Sequence, residues 1–149
     1  MHTLLPYDDF KLSALALTDE LLQRQIEDCL AIVEILHETD KAEGDFDHPT
    51  VQAWRGSELQ LCEFGLSCVE VYLRRNADAQ GALEAEKRLE WHLDLAEGGD
   101  MTKPSWYGTD WIHTEYQGLL RFLDPLVYEQ RFPNVTTCTP DRFRYPTAA

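Results

Sequence analysis

Apolar residues recur at helical spacing along most of the chain. From about Thr18 to His37, the residues Leu22, Ile26, Cys29, Val33 and Leu36 follow one another at alternating intervals of four and three, and Leu21, Leu30 and Ile32 widen the stripe. That pattern predicts an amphipathic helix, with Thr18 as its N-cap and Asp19 and Glu20 where the helix dipole favours negative charge. The segment Asp40 to Asp47, with Gly44, reads as an exposed loop. Pro49 fits a helix start, and Val51 and Trp54 lead to a break at Gly56. Ser57 is placed to cap a second long helix running to Arg75, with Leu59, Cys62, Leu66, Val69 and Leu73 as its buried stripe. Gly65 inside that run costs about 1 kcal/mol against Ala, which suggests a close helix crossing. A further helix of lower apolar content spans about Ala79 to Ala96 and ends at Gly98-Gly99. The last helix starts near Thr109-Asp110, uses Ile112, Tyr116, Leu119, Leu120 and Leu123, and stops at Pro125. Beyond Phe132-Pro133 the chain is turn-rich and closes on an aromatic tail, Phe143 to Pro146. Alternating patterns are scarce. The expectation is an all-α protein: one compact helical bundle of about four helices spanning residues 1–149.

A chain of 149 residues suits one domain with its own core. No apolar run approaches the ~18 residues of a membrane span, so no membrane partner is expected. The first residues carry no basic region ahead of Leu4-Leu5-Pro6 and do not read as a signal peptide. The four cysteines form no Cys-x-x-Cys pair, and they read as buried free thiols of a cytoplasmic protein. Charge changes the picture most. There are 27 acidic against 13 basic residues, a net of −14. Residues 19–47 hold ten acids and two bases, whereas the chain from 101 onward holds five of each. A surface this acidic repels bare nucleic acid unless its basic residues gather on one face.

Residue types alone point to little chemistry. No Ser or Cys stands in a nucleophile elbow, and no two of the five histidines lie three or four apart, so neither a triad nor a helix-borne metal pair is expected. No metal or cofactor is called for. Glu90, His92 and Asp94 read as a solvated acidic face. Arg24 and Asp28 stand four apart on the polar side of the first long helix, where a surface ion pair adds ~0.3–0.5 kcal/mol. Trp106-Tyr107-Gly108 and Trp111 form an aromatic cluster, either a base-stacking platform or a core corner.

Several short motifs occur in one order along almost the whole chain. They are Leu5-Pro6-Tyr7 with Phe10, Ser13, Ala14 and Leu17; His48-Pro49-x-Val51-x-x-Trp54-Arg55-Gly56 running on to Phe64-Gly65-Leu66 and Cys68; and Pro104-x-Trp106-x-Gly108. Leu119-Leu120-Arg121 with Asp124-Pro125, Tyr128, Phe132-Pro133 and Tyr145-Pro146 completes the series. Together they resemble the pyrimidine-dimer DNA glycosylase (endonuclease V) family, in its actinobacterial and phage branch. The resemblance implies a small helical repair enzyme acting on DNA. Its N-terminal amine attacks the sugar C1′ to form an imine, a carboxylate on the first long helix assists, and arginines hold phosphates. An α-amine suits this task because its pKa of about 7.7–8.0 leaves a neutral, nucleophilic fraction at physiological pH. On this sequence the resemblance implies Met1 as nucleophile, retained because His2 is bulky, and Asp28 as acid/base. Arg24, Arg55, His113 and Arg121 are the implied substrate contacts.

Two stretches depart from the family pattern. Where the family shows Leu-Gly-Lys-Gln-Arg-x-Glu, this chain reads Leu22-Gln23-Arg24-Gln25-Ile26-Glu27-Asp28, with one arginine missing and the carboxylate a methylene shorter. Where a His-Arg pair is usual, the chain has Glu115-Tyr116, with His113 nearby. Three functions follow: a glycosylase with a rearranged site, a non-catalytic protein that keeps the fold and meets a protein partner (in a virion, for a phage structural protein), or an acidic mimic of DNA.

Overall fold

The computed structural model describes residues 2–38, 47–96 and 103–146, and among these it forms seven helices and no strand. They are α1 (Phe10–Ala16), α2 (Asp19–His37), α3 (Pro49–Trp54), α4 (Glu58–Arg75), α5 (Gln80–Ala96), α6 (Asp110–Leu123) and α7 (Pro125–Arg131). The fold is all-α, as the hydrophobic pattern predicts. The expected loop Asp40 to Asp47, apart from Asp47 itself, and the helix end at Gly98-Gly99 lie outside the described residues.

The centre of the molecule is α4, which packs against α1, α2 and α5. With neighbours on three sides, its buried surface is wider than one stripe and includes Leu61, Phe64, Cys68 and Val71, while the expected Leu66 and Leu73 are only partly buried. Gly65 marks the crossing. A Cβ there would come within 3.1–3.2 Å of Leu89 on α5 and of Cys29 on α2. Helix α2 begins as its sequence indicates, with the Thr18 side chain accepting from the Leu21 amide and its buried stripe running Leu22, Ile26, Cys29 and Val33. At its other end His37 Nδ1 meets His92 Nδ1 of α5 at 2.8 Å. Ser57 occupies the N-cap position of α4 without a side-chain capping bond.

Two short helices escape the periodicity argument. Helix α1 is seven residues long and buries only Ser13, Ala14 and Ala16, too small and too few for a stripe. Asp9 caps it by accepting from the Leu12 amide at 2.8 Å. Helix α7 begins at Pro125, which the sequence suggests as a stop. Proline at the first helical position lacks only an N–H that would be unpaired anyway, so one residue both ends α6 and opens α7. The turn anchors Tyr128, fully buried, whose hydroxyl donates to the Ala16 carbonyl at 2.7 Å.

Trp106 resolves the choice posed by its aromatic cluster. It is 4% exposed, donates from Nε1 to the Ala53 carbonyl at 2.8 Å and meets the fully buried Trp54 edge-on. It is a core corner. Trp111 is half-exposed and lies beneath the Arg144 guanidinium. Cys29, Cys62 and Cys68 are buried free thiols, as expected, and Cys138 is a free thiol of intermediate exposure.

Candidate functional site

The residues before α1 form no helix, yet Thr3, Leu4 and Leu5 are among the most buried in the protein. An extended segment in a core must find partners for its main-chain groups. Here almost all of them come from side chains. The Gln25 amide of α2 takes two: its Nε2 donates to the His2 carbonyl at 2.9 Å, and its Oε1 accepts from the Leu4 amide. The His113 ring of α6 donates from Nδ1 to the Leu5 carbonyl at 2.8 Å, and Gln117 one turn on donates to the Pro6 carbonyl at 2.8 Å. Ser13 completes the series by accepting from the Tyr7 amide and donating to the Tyr7 carbonyl, both at 3.1 Å. The Thr3 hydroxyl accepts from Trp54 Nε1 at 2.8 Å. Helices α1, α2, α3 and α6 thus hold one short arm.

The arm begins at a recess of about 230 Å³ between α2 and α6. His2, Arg24, Gln25, Asp28, Leu119 and Pro140 are among its lining residues. Asp28 is partly buried, and burial pushes its carboxyl above the usual carboxylate range. The nearby His2 main chain and the Arg24 charge act in the opposite direction. The His2 ring is wedged against the aromatic tail, stacked on Tyr145 with the planes 6° apart and edge-on to Phe143. Burial, with the His48 and Arg24 charges adding to it, lowers its pKa to about 4. The ring facing the recess is therefore neutral at physiological pH.

The implied site residues divide into two groups. Arg24 and Asp28 line the recess together, though the ion pair expected between them does not form, and Arg24 is exposed. Met1 lies outside the described residues, one peptide bond from His2. The other three do not line the recess. Arg55 is exposed at the C-terminal end of α3. His113 is 7% exposed, and both ring nitrogens are engaged by main chain, because Nε2 accepts from the Gly108 amide at 3.0 Å. Gly108 has a φ of +87°, a left-handed turn open to glycine, which aims that amide at the ring. Arg121 Nη1 donates to the carbonyls of Phe132, Pro133 and Val135 at 2.9, 3.2 and 2.7 Å, tying the segment after α7 to α6.

Sequence reasoning missed the part played by Gln25, Thr3 and Gln117. The available signal was a glutamine among the inward positions of α2, between Leu22 and Ile26 and four residues before Cys29. A primary amide that is 1% exposed requires partners, and here they are on the arm.

With this geometry in hand, comparison with known proteins is informative. The model of the pyrimidine dimer DNA glycosylase family matches residues 1–84, which is more than half of the chain and contains the arm, α2 and the whole of α4. No curated protein and no solved structure matches the chain significantly.

Proposed function

The chain belongs to the pyrimidine dimer DNA glycosylase family, and from that premise we propose that it removes a damaged pyrimidine from DNA and nicks the strand through the amine of Met1. The amine nitrogen attacks C1′ of the damaged nucleotide, the bond from C1′ to the base breaks, and the base leaves with a proton supplied in the site. The attached nitrogen gives up a proton, the C1′–O4′ bond opens as O4′ takes one, and the iminium so formed acidifies the C2′ protons. Loss of one of these expels the 3′ phosphate, and water then releases the enzyme from the sugar. Asp28 exchanges these protons and, when ionised, faces the iminium charge. Its raised pKa keeps more of the carboxyl protonated and so available to supply the proton to the departing base.

The observation that carries this reading is that His2, held to α2 by the Gln25 amide at 2.9 Å, lines one recess with the Asp28 carboxylate. Consecutive Cα atoms are about 3.8 Å apart, so the amine proposed as nucleophile is tethered one residue from a side chain of this recess. Arg24 on the recess wall and Arg55 beyond α3 are the proposed phosphate contacts. His113 and Arg121 serve the same end by holding the backbone of the arm and of the segment after α7.

A second reading is favoured by one observation, the net charge of −14, which opposes a grip on duplex DNA. On that reading the chain keeps the fold and meets a protein partner. A nicking assay separates the two. Duplex DNA with a single cyclobutane thymine dimer should be cut at the dimer while undamaged duplex is not, and acetylation of the α-amine should abolish the cut. A protein that leaves the dimer duplex intact and does not bind it at low salt fits the second reading instead.

A further inference from the structure

We propose that Gln25 is the positioning residue of this site, holding the N-terminal arm in one register against Asp28. The carbonyl of residue 2 and the amide of residue 4 lie on the same edge of an extended chain, on either side of the side chain between them. Gln25 addresses both with one amide group, as a neighbouring strand would, through Nε2 to the His2 carbonyl at 2.9 Å and Oε1 from the Leu4 amide. Its Nε2 also lies 3.9 Å from Cys29 Sγ. For packing alone a leucine would serve, because Gln25 sits among the apolar inward positions of α2 and is 1% exposed. A buried primary amide is costly unless its groups are paired, so its presence there is explained by the arm. Asp28 follows Gln25 by three positions and therefore lies on the same side of the helix. One helix face thus carries both the clamp and the carboxylate, and the distance from the arm to Asp28 is set within α2. Asparagine, one methylene shorter, cannot span the same two groups from the same backbone position.

The catalytic consequence rests on the function proposed above, but the clamp itself does not. The discriminating variant is Gln25→Glu, which keeps an oxygen for the Leu4 amide and turns a second oxygen toward the His2 carbonyl. When that carboxyl is ionised the two oxygens repel, and when it is protonated the donor is restored. The measurement is the single-turnover nicking rate on duplex DNA with one abasic site, relative to the wild-type protein at the same pH. At about pH 8 Gln25→Glu should lose roughly tenfold or more, in line with the cost of a small misplacement of a nucleophile. Near pH 5.5 it should recover to within about threefold, because a buried glutamate holds its proton well above pH 4.3. Gln25→Leu should be slow at both pH values, with DNA affinity unchanged within about twofold. Wild-type relative rates for both variants at both pH values would overturn the proposal. A wild-type protein that never nicks would remove the enzymatic reading, and the clamp is then judged by hydrogen exchange. The Leu4 amide should exchange at least about 50-fold faster in Gln25→Leu while the core amides of α4 are unchanged. Equal exchange at Leu4 in the two proteins would overturn the proposal.

Discussion

Replacing Thr3 by valine tests how firmly the arm is built into the core. Valine matches threonine in shape, so the packing of a residue that is 1% exposed is kept and only the hydroxyl is lost. That hydroxyl accepts from Trp54 Nε1 at 2.8 Å, and the indole is fully buried. The donor has no water to turn to. Leaving a buried polar group unpaired costs ~1–3 kcal/mol, which sets the expected loss at about 2 kcal/mol. For a chain of this size each kcal/mol lowers the thermal midpoint by ~2–4 °C, so Thr3→Val should melt roughly 4–8 °C below the wild-type protein. Thr3→Ser keeps the hydroxyl and loses one methyl, at a cost of about 1 kcal/mol. The assay is thermal unfolding followed by far-ultraviolet circular dichroism, with urea titration at 25 °C as the check on two-state behaviour. The order expected is wild type, then Thr3→Ser, then Thr3→Val. A Thr3→Val protein as stable as Thr3→Ser would refute the reasoning, since it would mean that the arm's buried hydroxyl holds nothing.

Further outcomes follow from other parts of the structure. A Cβ on Gly118 would lie 2.5 Å from the Thr136 carbonyl oxygen and 3.1 Å from Cys138, so Gly118→Ala should lose ~1–3 kcal/mol in urea unfolding; Gly81, with nothing within 4 Å, should accept alanine with a gain of about 0.5 kcal/mol. Because burial raises the Asp28 pKa, the folded protein binds its proton more tightly than the unfolded chain, and stability falls as pH rises from below 3.8 through the folded pKa. Melting curves of Asp28→Asn and wild type should therefore converge at about pH 3 and separate toward pH 7, with the asparagine variant the more stable and the less active. His2 has the opposite sign: its pKa falls from 6.5 to about 4, so the unfolded chain takes up the proton first and stability is lost as pH drops through that interval. In His2→Phe, which keeps a ring against Tyr145, that loss should be smaller in the same melting series.

The long helices were legible because α2 and α6 each present one inward stripe to one core, and helical spacing records that directly. Helix α4 was legible as a helix and Leu59, Cys62 and Val69 of its expected stripe are buried, but Leu66 and Leu73 are only partly so, since a helix enclosed on three sides shows no single stripe. Helices α1 and α7 were lost for lack of length, and α7 also because Pro125 can begin a helix as readily as end one. Within the candidate site, Asp28 and Arg24 were identified through the family resemblance, and they share one recess. Position along a helix says nothing about whether a polar side chain will meet substrate or distant main chain. That is why the pairing of His113 with Leu5, 108 residues away, and of Arg121 with three carbonyls could not be read from sequence. The arm itself carries no periodic signal, because its order comes from side chains on four helices and not from its own hydrogen bonding.

The account's central claim is that the amine at the start of the arm works beside Asp28. Borohydride reduction during incubation with abasic-site duplex, followed by trypsin digestion and mass spectrometry, tests it most directly. The predicted result is a sugar adduct on the peptide Met1–Lys11, formed faster by the wild-type protein than by Asp28→Asn and not formed after acetylation of the α-amine. An adduct on a lysine side chain, or no adduct from a protein that binds the duplex, would contradict it.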